Sequence, residues 1–257
     1  MRNLHFLASL VALATLPPAG ATAQTRALTV AAAANLKPAM EELKKGFEAE
    51  TPGVEVKVLT GASGAFFAQI QQGAPIDVFF SADRDYPRKV VEAGLASADG
   101  EVVYAIGKLV VWAPKGSAID LARKGLAALA DPAVKKIAIA NPAIAPYGRA
   151  AQAALADAKV LDAVKDRLVF GENVSQTAQF AQTGAADAAF IPLSLTFTPA
   201  LRDGVVYVVP ASSYPAQEQS AVVLRSSRDP SLAKAFLAYV TGSKGRTILA
   251  RFGYAFP

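Results

Sequence analysis

Four times along this chain an apolar run of strand length gives way to a turn of small or polar residues, and the turn gives way to a helix. The turns are Ala34-Asn35, Gly61–Gly64, Pro146–Gly148 and Asn173–Ser175, two in each half of the sequence. Leu28-Thr29-Val30 shows the pattern most clearly. This buried strand runs through Ala31–Ala34 and Asn35 to Pro38, an early helical position where the missing N–H is no loss. A strand that feeds a helix through such a turn aims several unpaired backbone N–H groups at one point, which favours an anion.

Strands and helices alternate along the rest of the chain as well. Strands are expected at Val54–Leu59, Val78–Phe80, Lys136–Ala140, Leu168–Phe170 and Ala188–Ile191. Helices are expected at Ala39–Glu50, Leu121–Leu129, Arg149–Lys159 and Ser175–Gln182. This pattern predicts an α/β protein with mostly parallel sheets covered by helices on both faces. Val102–Ile106 and Lys108–Trp112, split by Gly107, read as a crossing between two lobes, and Ser220–Leu224 reads as an apolar return strand. Ligands of open α/β sheets sit at the carboxyl ends of strands. Two lobes facing each other would therefore bring all four helix entrances to one cleft.

Composition removes most catalytic chemistry. There is no cysteine, and the single histidine is His5. It falls in a segment that reads as a secretory signal over residues 1–23: basic Arg2, apolar Phe6–Leu16, Pro17-Pro18, and the small-x-small site Ala21-Thr22-Ala23. The mature chain is thus expected to carry neither imidazole nor thiol, which excludes a Ser-His-Asp triad, a cysteine nucleophile and an ordinary zinc site. A carboxylate-dependent hydrolase using Asp77, Asp83 or Glu172 is the enzymatic alternative, although Asp77 and Asp83 read as capping residues near strand ends. Loss of Arg2 leaves 25 basic against 21 acidic residues, scattered along the chain, which argues against a nucleic-acid partner.

The turns present no lysine or arginine at their centres; Lys37 and Arg149 lie inside the helices that follow. They offer backbone N–H groups, the Asn35 amide, and the Ser63 and Tyr147 hydroxyls, all neutral donors at pH 7. Ser63, between glycines at a helix entrance, reads as an N-cap. Asn173 and Ser175 read as capping residues that leave the Val174 N–H facing outward. A ring of donors suits an oxyanion with no proton of its own, because a protonated one finds no acceptor. Sulfate, molybdate, tungstate and chromate all meet that condition.

Several stretches resemble the periplasmic molybdate-binding proteins that serve ABC transporters. They are VAAAANLKPAM at Val30–Met40, the GASG turn before Phe66, GAPIDVFFSAD at Gly73–Asp83, IANPAIAPYGRAAQAAL at Ile139–Leu155, ENVSQT at Glu172–Thr177, and the terminal RFGYAF. The resemblance implies a two-lobed class II periplasmic binding protein. Its first lobe would comprise residues 24–105 and 217–257, and its second residues 106–216. It implies a soluble periplasmic monomer without a cofactor or catalytic activity, which binds molybdate or tungstate and delivers it to an inner-membrane permease. Family binding positions fall on Asn35, Ser63, Tyr147 and Val174, with Ala34 as a further N–H donor. Two departures stand out: Asn35 occupies a position where many members have Ser or Thr, and Pro192 one where many have a ligand tyrosine. Tyr147 is expected to replace that tyrosine from another loop.

Overall fold

The computed structural model describes residues 25–257, so the expected signal segment lies outside the described residues. In chain order the main elements begin with β1 (Arg26–Ala33), α1 (Lys37–Glu50), β2 (Val54–Gly61), α2 (Ser63–Gln71), β3 (Val78–Phe80), α3 (Asp85–Glu92) and β4 (Val102–Gly107). They continue with β5 (Leu109–Ala113), α4 (Leu121–Lys124), β6 (Ile137–Ala140), α5 (Pro146–Asp157), α6 (Leu161–Val164), β7 (Leu168–Gly171), α7 (Val174–Gln182), β8 (Ala188–Pro192) and β9 (Val205–Val208). Strand β10 (Gln217–Val223) and helices α8 (Pro230–Thr241) and α9 (Ser243–Arg251) complete the chain.

Two five-stranded sheets result, ordered β2-β1-β3-β10-β4 and β7-β6-β8-β5-β9. The strands that feed the helix entrances are parallel, as the alternating pattern requires: β1 with β2 and β3, and β6 with β7 and β8. The remaining pairs are antiparallel, so the sheets are mixed. The physical reason is the chain's route. It crosses from one sheet to the other at Lys108 and returns before Gln217, so β5 and β10 enter their sheets against the parallel direction. The return strand also begins three residues earlier than its apolar stretch, because Gln217 and Gln219 are buried despite their polarity.

Strand β1 shows why the first sheet is covered on both sides. Leu28, Val30 and Ala32 project to one face and pack with Leu36, Met40, Leu43 and Phe47 of the first helical segment and with Phe236 and Leu249 near the C-terminus. Ala31 projects to the other face, against Phe66, Ile70, Tyr86 and Val90. Period-two alternation with apolar residues on both faces is the signature of a doubly covered strand. A separate core built on β5, β6 and β8 fills the second lobe.

One expected helix is shorter than its apolar pattern. Leu121–Leu129 forms α4 only as far as Lys124, and a 3₁₀ segment (Gly125–Ala130) follows. Gly125 sits at φ +53°, a left-handed conformation that stops an α-helix, and glycine adopts it without steric cost.

Candidate functional site

The four junctions end at one place. Strand β1 passes through a single 3₁₀ turn, Ala34–Leu36, into α1. Strand β2 passes through Ala62 into α2, β6 through the 141–145 loop into α5, and β7 through Asn173 into α7. Ala34, Asn35 and Ser63 from the first lobe meet Tyr147 and Val174 from the second around one small cavity. All five are buried, between 1% and 5% exposed, so the two halves are closed on each other. The cavity has a volume of about 10 Å³, counted as room for the centre of a water molecule.

No residue lining the cavity is charged. Arg149 turns away to pair with Asp83, and Lys37 is exposed on α1. The first N–H groups of a helix have no carbonyl one turn back. Two second-lobe N–H groups, those of Ser175 and Gln176, go to the Asn173 side chain at 2.9 and 3.2 Å, as capping predicts. The Gly64 N–H goes to the carbonyl of Ile144 across the cleft, at 2.9 Å. Ser63, Tyr147 and Val174, at the first or second position of their helices, keep N–H groups without an intrahelical partner.

The two hydroxyls are arranged alike. Ser63 is not the cap that its flanking glycines imply. Ala62 holds the N-cap position, Ser63 begins α2, and its Oγ accepts the N–H of Ala82 at 3.0 Å. The Tyr147 hydroxyl oxygen accepts from Gln219 Nε2 at 3.1 Å. In both cases the protein uses the oxygen as an acceptor, which leaves the single proton free to donate elsewhere. Burial pushes the Tyr147 hydroxyl well above its ordinary pKa, so it stays protonated at neutral pH.

The Asn35 amide is held differently from the sequence expectation. Both of its N–H groups are used inside the protein, on Gln219 Oε1 at 2.8 Å and on the Tyr254 hydroxyl at 2.9 Å. Its backbone carbonyl accepts from Ser194 and Tyr254, at 2.8 and 2.9 Å. Asn35 Oδ1 is left buried with no partner. Pro192 closes β8 and does not line the cavity. The candidate catalytic carboxylates are committed elsewhere. Asp77 accepts from Thr29 N, Ser227 Oγ and Arg228 N, at 2.7, 2.7 and 3.1 Å. Asp83 accepts from Ser81 Oγ, from the first turn of α3 through Tyr86 N, and from Arg149. Burial pushes the Asp83 carboxyl up, while these three donors pull it down. Glu172 is exposed.

Sequence reasoning missed the residues that hold the donors in place: Gln219, Tyr254 and Ser194, from three segments distant in the chain. The available signal was a pair of glutamines, Gln217 and Gln219, alternating just ahead of the apolar run Ala221–Leu224.

A family of bacterial extracellular solute-binding proteins matches the chain over residues 28–255. The molybdate-binding protein ModA of Azotobacter vinelandii is 37% identical over 233 residues, covering 90% of this chain and 91% of the relative. This chain belongs to the ModA family of solute-binding proteins. The ModA protein of Rhodobacter capsulatus is 35% identical over 224 residues, covering 87% of this chain and 86% of its own. The structure of the Azotobacter vinelandii periplasmic molybdate-binding protein superposes with a TM-score of 0.83 at 35% identity, over 90% of this ModA-family chain and 99% of the other. A sulfate-binding protein of Mycobacterium tuberculosis, 16% identical with a TM-score of 0.74 over 89% of this chain and 86% of its own, shares the fold.

Proposed function

We propose that this chain captures molybdate or tungstate in the cavity between its lobes, outside the cytoplasm, and delivers it to an ABC transporter permease as a soluble monomer. The observation that carries this reading is the convergence of uncharged, proton-bearing groups from both lobes on one small buried cavity lined by no charged side chain. Ser63 and Tyr147 donate through their hydroxyls. Ala34, Asn35, Ser63, Tyr147 and Val174 offer backbone N–H groups, and Asn35 acts through its backbone because its amide is already engaged. The two bodies that close are residues 25–107 with 217–257 and residues 108–216, because β4 stays in the first sheet as far as Gly107, past the expected boundary at 105. Hydrogen bonds to a charged group contribute about 1.5–3 kcal/mol each. Five or six of them, less desolvation and closure costs, leave about 10–12 kcal/mol, nanomolar to tens of nanomolar binding. Molybdenum–oxygen bonds are longer than sulfur–oxygen bonds, so a cage fitted to molybdate leaves the oxygens of sulfate short of their donors.

Thermal melting with a panel of anions tests the reading. A ligand at about a thousand times its dissociation constant adds about 4 kcal/mol of stability. Molybdate and tungstate should raise Tm strongly, and sulfate and phosphate little. Phosphate is a necessary arm, since the unpartnered Asn35 Oδ1 is the one feature of the site that would welcome a protonated anion. Equal shifts with sulfate and molybdate would assign the protein to another oxyanion.

The rim supplies a second test. Arg149 of α5 reaches across to Asp83, whose side chain is 13% exposed, and lies over the Tyr86 ring at 5.6 Å. Opening the cleft separates this pair. Arg149→Met should therefore weaken molybdate binding several-fold, about 1 kcal/mol, the range of a half-exposed ion pair. The loss should appear in the dissociation rate measured by stopped flow and shrink at high salt.

A further inference from the structure

We propose that Gln219, which does not line the cavity, is the positioning residue that aims the Tyr147 proton at the bound anion and locks the Asn35 turn beneath it. This rests on the functional reading above and adds to it a residue from the return strand. Gln219 is fully buried in β10, at the point where pairing with β4 slips between Gln219 and Ser220. That irregularity sets its amide between the two lobes. Nε2 donates to the Tyr147 hydroxyl of the second lobe at 3.1 Å. Oε1 accepts from Asn35 Nδ2 at 2.8 Å and lies 2.8 Å from the Tyr104 hydroxyl, both in the first lobe.

The chemistry of the amide explains why glutamine stands here. A phenol has one proton, and it points wherever the strongest free acceptor lies. An acceptor at Gln219 Nε2 would draw the Tyr147 proton into the protein and turn lone pairs toward the anion. A donor there does the reverse: it occupies the phenolic oxygen and releases the proton to the cavity. The other end of the side chain must accept, because the Asn35 amide and Tyr104 both point donors at it. Tyr104 divides its proton between Gln219 Oε1 and the Ser81 carbonyl, 2.8 Å away, and so fixes the glutamine against the loop after β3. A neutral side chain with a donor and an acceptor at one end, long enough to span this gap, is required. Glutamate offers only acceptors, and methionine offers no donor and only a weak acceptor. The Tyr147 contact exists only with the lobes together, so the same bond also joins donor alignment to closure.

The test is a double-mutant cycle on molybdate affinity, measured by titration calorimetry on the full mature chain. Gln219→Met, which keeps length and volume, should weaken molybdate binding about tenfold, the loss of one charge-assisted donor. In a Tyr147→Phe background the same substitution should cost at least about threefold less, because the proton it positions is already gone and only the hold on the Asn35 turn is left to lose. Gln219→Glu should weaken binding more than Gln219→Met, since the carboxylate captures the Tyr147 proton. A role limited to packing would give equal losses in both backgrounds, and that result, or full affinity in Gln219→Met, would overturn the proposal. A wild-type chain that binds no molybdate would overturn the functional reading and this proposal with it. Binding by the wild type with equal losses in both backgrounds would overturn this proposal alone.

Discussion

Replacing Gly64 with alanine should remove most of the protein's affinity for molybdate while leaving both lobes folded. Gly64 lies in the first turn of α2, and its N–H donates to the Ile144 carbonyl of the facing lobe at 2.9 Å. A Cβ built there would stand 2.9 Å from that same oxygen and 2.5 Å from the Tyr86 hydroxyl. Tyr86 is itself buried, with its ring carbon Cζ 2.8 Å from that Cβ, so its ring must shift as well. The carbonyl cannot give way, because it is backbone of the loop that sets the entrance of α5. The lobes would have to part, and an offset of a few tenths of an ångström stretches every donor that the two halves share. A loss of about a hundredfold or more follows if the hydrogen bonds from one lobe are weakened together. The variant has a distinctive profile. Alanine is the better helix former by about 1 kcal/mol, which offsets part of the cost of displacing Tyr86 within the first lobe, so the ligand-free Tm should change little. The shift produced by molybdate should collapse. Affinity within twofold of wild type, measured by calorimetry, would show that the lobes approach less closely during capture than they do here.

The second large effect is expected from removing both hydroxyls, Ser63→Ala with Tyr147→Phe. Each deletes one donor to a charged ligand, about 1.5–3 kcal/mol or at least tenfold in affinity. The two share the anion as a partner, so their losses couple instead of adding in full, and the double variant should lose about a hundredfold or more. The single variants differ in the ligand-free protein. Ser63→Ala strips the Ala82 N–H of its acceptor at a buried position. That should lower ligand-free stability by about 1–3 kcal/mol in denaturant melts. Tyr147→Phe leaves Gln219 Nε2 without its partner across the cleft, a smaller loss wherever the lobes are apart. Unchanged affinity in the double variant would mean that backbone N–H groups hold the anion by themselves.

The turns were legible in the sequence because they are local. A strand period, a small residue and a helix start lie within about a dozen positions, and the same junction occurs four times. Their convergence followed from the rule that α/β ligands gather at strand ends, and Ala34, Asn35, Ser63, Tyr147 and Val174 do meet. The details that escaped are set by contacts between distant segments. Whether Ser63 caps its helix or accepts from Ala82 depends on where the loop after β3 falls. The Asn35 amide is claimed by Gln219 and Tyr254, 184 and 219 residues away, and no window around Asn35 contains them. Gln217 and Gln219 look like solvated residues preceding a strand. They are buried because β10 is inserted between β3 and β4, with neighbours on both sides. The mixed strand directions have the same origin, since chain crossing between lobes leaves no local trace beyond the split at Gly107.

The placement of β10 governs the order in which the molecule becomes complete. Strand β10 is the third partner inside a sheet whose other four strands all precede Lys108, and Ala255 bridges back to Ile106. As the polypeptide emerges from its first residue onward, β5 to β9 can finish their own sheet while the earlier one still shows two raw edges, at β3 and at β4. Only the segment from β10 onward heals them, and it brings Gln219 and Tyr254 with it. A chain cut ahead of Tyr254 leaves the Asn35 turn without its brace.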